Sequence, residues 1–503
     1  EDTLTESPLP CPPSCEWKLA RMKFIHAHCL LFKIVTLYDP VAWELALTDH
    51  PNRQLVNMAI LGLTSGVWPY SIGTADLVPN RIQNYPTVDS NYNKLQQIRD
   101  VKVEKNRWSE PFDKLDDLLH TAPMGLIPKK NTDKLRQISD QRASGLNDTV
   151  PWEDAKVRYD YLSDLIIRVL DHLRQHGSKR RIVLYKSDLQ DAYRNIPMHT
   201  LWQLMQVVEV DGRYHIDRCG QFGARGMVRA FCTYTNLLLW IATNKENIPD
   251  LHHLIDDYFG WDFEDDLQHH HHQLYPACQV TFLRLLDRLN VPYKDKKQEW
   301  GRTLTITGFE VDLDQMTVTI LQENMDQFHR DVQKFLNKAD RQPSLQTWLS
   351  LIGLANHLLN VFPLAKPALS SLYAKIAGKN WPQAGVFIKS DVRHDICWFD
   401  EKVKSSKGTH LLLQEIWVNE QADLVVTTDA SLEGCGFWVG PDSELCPARY
   451  QSSIESGTRT ALAALEWAVQ QNPQPKRVLL RSDNAGTVHA FQSFKITAKH
   501  STI

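Results

Sequence analysis

Between residues 252 and 263, apolar positions flank two adjacent acids, Asp256 and Asp257. The pattern predicts a strand, a tight turn carrying the acids, and a second strand. Earlier, the apolar run 182–188 reads as a strand ending in Asp188. Residues 123–142 predict two short strands joined by a polar turn at 131–133, and 204–216 predicts a hairpin about Asp211-Gly212. Alternation over 303–312 marks one strand, with 316–321 pairing back on it. Near the end, strands are expected at 424–431, 434–439 and 478–484, with a helix at 460–470.

Helical spacing runs over 153–176 through Val157, Tyr161, Leu165, Ile166 and Val169. A Gly-rich turn at 219–226 leads into an apolar helix at 227–243, and 282–290 is helical. From residue 323 to about 378 the pattern is helical, punctuated by Pro363 and Pro367. At the start, a Pro-rich linker at 7–15 precedes an amphipathic helix from Trp17 to about Tyr38. Cys11, Cys15, His26, His28 and Cys29 match no familiar zinc spacing, so linker and helix are the expectation there. The run His269 to His272 reads as a polar loop, because four adjacent histidines cannot all face one metal. No internal repeat is visible.

Composition narrows the classes. A chain of 503 residues implies several domains. Hydrophobic content of 43% and charged content of 23% are those of an ordinary globular protein. No run of eighteen apolar residues exists, so no membrane span is expected. The chain starts at Glu1 without a signal-peptide pattern, so a fragment is expected. Nine scattered cysteines suit a reducing, intracellular compartment, cytoplasmic or nuclear. The formal net charge of −4 gives no bulk support for nucleic-acid binding, which would need a local basic surface.

The acids carry the candidate chemistry. Carboxylates at a strand end and on a hairpin tip hold hard divalent cations through oxygen. A strand-end acid with a hairpin acid pair is the layout of a two-metal phosphoryl-transfer site. Lys129, Lys130, Arg136 and Arg142 fall on or near the 123–142 hairpin. Lysine point charges and an arginine fork there suit a polyphosphate, against the plainer reading of a solvated face. The 219–226 turn and the helix start behind it place backbone donors beside a substrate.

The phrases SDLQDAYRNIPMH, QFGARGMVRAF, HLIDDYF, GRTLTITGFEVD, NVFPLAKPALSSLYAKIAGK, VTTDASLEGCGFWV and LLRSDN together resemble a reverse transcriptase followed by a ribonuclease H. They look most like the polymerases of fungal retrotransposons of the DIRS-like, tyrosine-recombinase kind. The resemblance covers roughly residues 106–503. It implies an α+β multidomain chain: an N-terminal helical extension (1–105), fingers and palm of a right-hand polymerase (106–322), thumb and connection helices (323–420), and an α/β ribonuclease H-like segment (421–503).

The resemblance also implies roles. Asp188, Asp256 and Asp257 would be the palm carboxylates for Mg²⁺ or Mn²⁺, with Leu189 lending a carbonyl. Lys129 and Arg136 would grip the incoming dNTP. Tyr193 would crowd a 2′-hydroxyl, and Phe222 and Gly223 would floor the nucleotide pocket. Lys296 or Lys297 would be the acid for pyrophosphate. Asp429 and Asp483 would be metal carboxylates of the ribonuclease segment. Partners would be RNA and DNA template-primers and dNTPs, with no membrane.

Departures are specific. Leu254 stands where the family often has Tyr, and Val228 where it has Pro after the Gly-rich turn. The ribonuclease Glu is out of register: Ala461 takes its place, with Glu455 before and Glu466 after. The fourth carboxylate would fall past Ile503, so this segment is expected to be truncated. The leading expectation is an RNA- and DNA-directed DNA polymerase. The alternative is a catalytically inactive or domesticated nucleic-acid-binding relic. An RNA-synthesising palm polymerase is disfavoured by Tyr193.

Overall fold

The acid hairpin forms where the residue pattern puts it. The computed structural model describes residues 2–74, 77, 82–128, 135–176, 180–337, 341–405, 419–430, 435–439, 445–446, 456–485 and 487–488. Lys129, Lys130, the expected turn at 131–133, and Glu455 lie outside the described residues. The chain divides into two units, Glu1–Thr307 and Gly308–Ile503. Among the described residues no helix is long and apolar enough to cross a membrane.

The first unit opens with helices α1 (Asp2–Thr5), α2 (Leu19–Ala27), α3 (Pro40–Ala46), α4 (Arg53–Ser65), α5 (Pro86–Asp89) and α6 (Tyr92–Glu104). Strands β1 (Met124–Pro128) and β2 (Leu135–Ser139) pair antiparallel. Helix α7 (Leu162–His176) leads to β3 (Ile182–Asp188), and α8 (Thr200–Gln203) to the hairpin β4 (Val207–Val210) and β5 (Arg213–Ile216). Then come α9 (Arg225–Asn244), β6 (His252–Leu254), β7 (Asp257–Phe263), β8 (Leu267–His270), β9 (Gln273–Pro276), α10 (Ala277–Leu289), β10 (Glu299–Gly301) and β11 (Thr303–Ile306). The central sheet has the order β10-β3-β7-β6.

Its buried face meets α9 and α10. Tyr185, Tyr258, Phe231, Tyr234, Phe282 and Leu286 join one apolar core. Burial of large aromatics on this scale dominates the stability of such a layer. Directional bonds fix the register of the packing. The Tyr258 hydroxyl donates to the Thr235 carbonyl of α9 at 2.8 Å, and Gln279 of α10 donates to the Lys186 carbonyl at 3.0 Å. The N-terminal segment shares this core through Phe32 and Tyr38, between α2 and α3, and through Trp43, Leu55 and Leu63 on α3 and α4.

Four expectations are corrected. The helix expected from Trp17 to Tyr38 ends at Ala27. Arg218 draws the Leu30 and Leu31 carbonyls to its guanidinium, and Thr36 donates to the Asn195 carbonyl at 2.7 Å, so tertiary bonds hold that stretch non-helical. The helix expected from 153 begins only at Leu162, where the Asp164 carboxylate accepts from the Tyr161 amide. The stretch before it is docked on β6, with the Asp160 carboxylate accepting from the His253 amide. The single strand expected over 303–312 is broken at Thr307 and Gly308, both at left-handed φ of 49° and 90°. The His269–His272 loop is the tip of the β8–β9 hairpin, in which His270 pairs with Gln273.

The second unit holds β12 (Phe309–Asp312) paired with β13 (Thr317–Ile320), then α11 (Gln322–Leu336), α12 (Leu345–Leu358), α13 (Ser370–Ile376) and α14 (Ser390–Ser405). Phe328 packs edge-on against Phe399, and Phe335 against Trp348. Strands β14 (Leu424–Ala430), β15 (Cys435–Val439), β16 (Leu445–Cys446) and β17 (Val478–Ser482) form a sheet of order β16-β15-β14-β17. β14 pairs antiparallel with β15 and parallel with β17. Helix α15 (Ser456–Val469) lays buried Ala461, Ala464 and Ala468 toward this layer.

Candidate active site

Antiparallel pairing sets Asp188, the last residue of β3, directly opposite Asp257, the first of β7. Directly opposite residues on one sheet face hold their Cβ atoms roughly 5 Å apart, and like charges so placed repel. Leu254 pairs with Asp257, leaving Ile255 and Asp256 as a two-residue turn. Ile255 takes a φ of 60°, a left-handed conformation that a β-branched residue adopts only under strain. The Asp256 carbonyl accepts from the Leu189 amide at 3.0 Å, tying the turn to the end of β3.

The three acids therefore converge, and their electrostatics show it. Burial pushes the Asp256 carboxyl up, and Asp188 adds to the rise. Burial pushes Asp257 up to about 6, with Asp256 and then Asp188 adding repulsion. One ammonium answers this charge at contact distance: Lys297 Nζ lies 2.6 Å from Asp188 Oδ1. Lys296 is exposed. Of the two lysines that sequence left open, the structure brings Lys297 to the acids.

The nucleotide-side residues also gather. Tyr193 stands 5.0 Å from Phe222 and 5.2 Å from Phe231, centroid to centroid. The Arg136 guanidinium lies over the Phe222 ring at 5.2 Å and helps to lower the Asp256 carboxyl. Burial raises the Tyr193 phenol well above its ordinary value, with Cys232 and then Asp256 adding to it. Gly223 has a φ of 106°, and a Cβ there would run into the Ser139 carbonyl oxygen at the end of β2. Only glycine lets the turn approach this strand so closely. Lys129 lies outside the described residues.

Sequence reasoning missed the support beneath these groups. Arg194, next to Tyr193, grips buried Asp217 by two bonds of 2.7 and 3.0 Å and also donates to the Gly220 carbonyl. The fork holds the Gly-rich turn against the Tyr193 segment. Asp191, at a φ of 65°, pairs with Arg107 at 2.8 Å. A cavity of about 200 Å³ is lined by Lys102, Arg107, Arg136, Asp191, Arg194 and Phe222 among others. Burial, then repulsion from Arg194, pushes Lys102 down to about 7. Asp191 three residues before Arg194-Asn195 is the kind of polar cluster inside an apolar run that flags such a network, but its partners are far away in sequence.

In the second unit, parallel register sets Thr428 beside Ser482. Asp429 and Asp483 are therefore the next residues along neighbouring strands, and both are exposed. Ala461 is buried and Glu466 is exposed. Cys11, Cys15, His26, His28 and Cys29 are not brought together as a metal cluster among the described residues.

The donor set at Asp188, Asp256 and Asp257 fits divalent cations: oxygen ligands, surplus negative charge, and Asp256 and Asp257 carboxyls both pushed up in the metal-free chain. No family model matches the sequence. No curated protein matches it. Among solved structures, the foamy viral protease-reverse transcriptase dRH in complex with double-stranded DNA is similar at 15% identity and a TM-score of 0.47, over 92% of this chain and 85% of that one. The foamy viral protease-reverse transcriptase in complex with an RNA/DNA hybrid is similar at 15% identity and a TM-score of 0.46, over 90% of this chain and 64% of that one, so the chain spans less than two thirds of that protein. The same viral protein in complex with double-stranded DNA is similar at 15% identity and a TM-score of 0.47, over 98% and 90%.

Proposed function

We propose that the chain is an RNA- and DNA-directed DNA polymerase that adds dNTPs to a primer 3′-hydroxyl. The observation that carries the reading is the meeting of Asp188, Asp256 and Asp257 at one strand end, with Asp188 facing Asp257 and both hairpin carboxyls raised by burial first and by the charge of Asp188 beside them. Such a site costs stability without a cation, and its oxygen donors suit Mg²⁺ or Mn²⁺. Two bound divalent ions would lower the pKa of the attacking hydroxyl and offset charge on the leaving pyrophosphate.

The remaining roles belong to the side chains. Asp188, Asp256 and Asp257 would hold the ions, which would supply charge neutralisation at the reacting oxygens. Lys297, 2.6 Å from Asp188, is placed to give a proton to the leaving pyrophosphate. Arg136, steadied on Phe222, offsets charge on the triphosphate, a task the sequence resemblance also gives to Lys129. Tyr193, wedged between Phe222 and Phe231, excludes a 2′-hydroxyl by contact. Phe222 and Gly223 floor the pocket. Helices α11 to α14 serve as thumb and connection, meeting the duplex by shape and phosphate. The ribonuclease H-like role of Asp429 and Asp483, and the origin in a DIRS-like fungal retrotransposon, are supported by the sequence motifs.

Extension of a labelled primer on RNA and DNA templates with Mg²⁺ or Mn²⁺ tests the reading. Template-dependent dNTP addition supports it; binding of template-primer without addition identifies the inactive relic.

A further inference from the structure

The histidine run at the β8–β9 tip faces a second group of ligands. The hairpin closes on His271 and His272, with His270 pairing Gln273. His271 takes a left-handed φ of 48°, which swings its ring to the same side as that of His270. The two ring centroids are 4.2 Å apart. His270 is only 8% exposed, and its Nε2 lies 3.5 Å from Asp287 Oδ2 near the end of α10. His271 Nδ1 lies 3.2 Å from Asp295 Oδ1. Donor atoms of His270, His271 and Asp287 all fall within 4.8 Å of one another.

These spacings suit one ion. Zinc bonds of about 2.0–2.1 Å in a tetrahedron put neighbouring ligand atoms roughly 3.3 Å apart. The His270–Asp287 separation of 3.5 Å is close to that edge. The ligands are imidazole and carboxylate, a set that favours zinc-class ions over Mg²⁺. Among the described residues, the ion pairs of Asp287 and Asp295 are with these two histidines. The Tyr293 hydroxyl lies 2.9 Å from Asp287 Oδ1 and 2.7 Å from His270 Nε2, bridging the two groups in the place an ion would take.

We propose that His270, His271 and Asp287 form a binding site for a divalent transition-metal ion of the zinc class, with Asp295 holding the His271 ring beside it. The ion would clamp the hairpin tip to the end of α10, and His271 would tie in the turn Asp295–Lys297. That turn also delivers Lys297 to Asp188. The site is separate from the hairpin carboxylates and does not depend on polymerase chemistry.

The test is a Co²⁺ titration of the full chain, freed of metal and carrying no added polyhistidine, read by visible absorption and by thermal unfolding with Zn²⁺ or Mg²⁺. One Co²⁺ per chain with the strong bands of four-coordinate cobalt, displaced by Zn²⁺, is expected. Zn²⁺ should raise the Tm more than Mg²⁺ does. Exposed-residue variants His271→Ala and Asp287→Asn should each weaken Co²⁺ binding at least tenfold, while His269→Ala and His272→Ala retain it. The bands should persist in Asp256→Asn, which removes binding at the hairpin acids. Absence of the bands in the unaltered chain, their survival in both His271→Ala and Asp287→Asn, or their loss in His269→Ala, His272→Ala or Asp256→Asn would overturn the site.

Discussion

Lys297 Nζ sits 2.6 Å from Asp188 Oδ1, so an ammonium holds the one acid of the trio that belongs to β3. Neighbouring Lys296 is exposed. If Lys297 supplies the proton for the leaving pyrophosphate, Lys297→Gln slows nucleotide addition by roughly 10²-fold. Lys296→Gln stays within about twofold of the unaltered enzyme. Single-turnover extension rates decide between them, and the reverse ranking would remove Lys297 from the chemistry.

Asp257 gives a pH signature. Its carboxyl is pushed up to about 6, by burial first and then by Asp256 and Asp188. A carboxyl raised on folding favours the folded state in its protonated form. That contribution is complete below the unfolded value of ~3.9 and is lost as pH rises through about 6. The loss is on the order of 2–3 kcal/mol at most, taking ~1.4 kcal/mol per unit. The metal-free chain should therefore lose stability over this window relative to Asp257→Asn. Mg²⁺ should restore it at pH 8 and do little at pH 5, where protons compete for the ligand. Tm values with and without Mg²⁺ check this, and an equal Mg²⁺ gain at both pH values would contradict it.

The Tyr193 ring is held between Phe222 and Phe231, leaving it little room to withdraw from a sugar. Tyr193→Val should raise the ratio of rNTP to dNTP incorporation by roughly tenfold or more. An unchanged ratio in competition assays would show that another group reads the 2′ position.

The acid hairpin was legible from the apolar runs on both sides, but its turn falls on Ile255 and Asp256 rather than on the two acids, and Asp257 joins β7 opposite Asp188. Gly223 was legible as a turn residue, but its reason, the Ser139 carbonyl, lies on another hairpin. The choice between Lys296 and Lys297 was not legible, since a single residue of phase in a short turn decides it. The residue pattern was read as helical only to about 378, so α14 came only from the resemblance, although Val392, Ile396, Phe399 and Val403 carry its helical stripe. The early end of α2 depends on Arg218 far along the chain, and no local pattern announces it. The Arg194–Asp217 fork and the His270–Asp287 approach are long-range in the same way.

The second unit should show little or no ribonuclease H activity. Asp429 lies near the end of β14 and Asp483 just past the end of the neighbouring β17, but the helix position expected to carry a Glu is Ala461, fully buried. Glu466 lies five residues on, roughly 140° round the helix, and is exposed. Two-metal hydrolysis needs carboxylates on both sides of each ion. Cleavage of labelled RNA in an RNA–DNA hybrid tests this, with Asp429→Asn as control. Robust cleavage that disappears in the control would show that another acid completes the site.

The most direct measurement is primer extension by the full chain beside its Asp256→Asn variant, with Mg²⁺ and dNTPs on RNA and DNA templates. Losing one bridging carboxylate from a two-metal cage should abolish nucleotide addition while unfolding and template-primer binding stay close to those of the unaltered chain. Extension by the unaltered chain and none by the variant is the predicted result. Extension by both at similar rates, or by neither, would contradict the assignment of Asp188, Asp256 and Asp257 as a polymerase site.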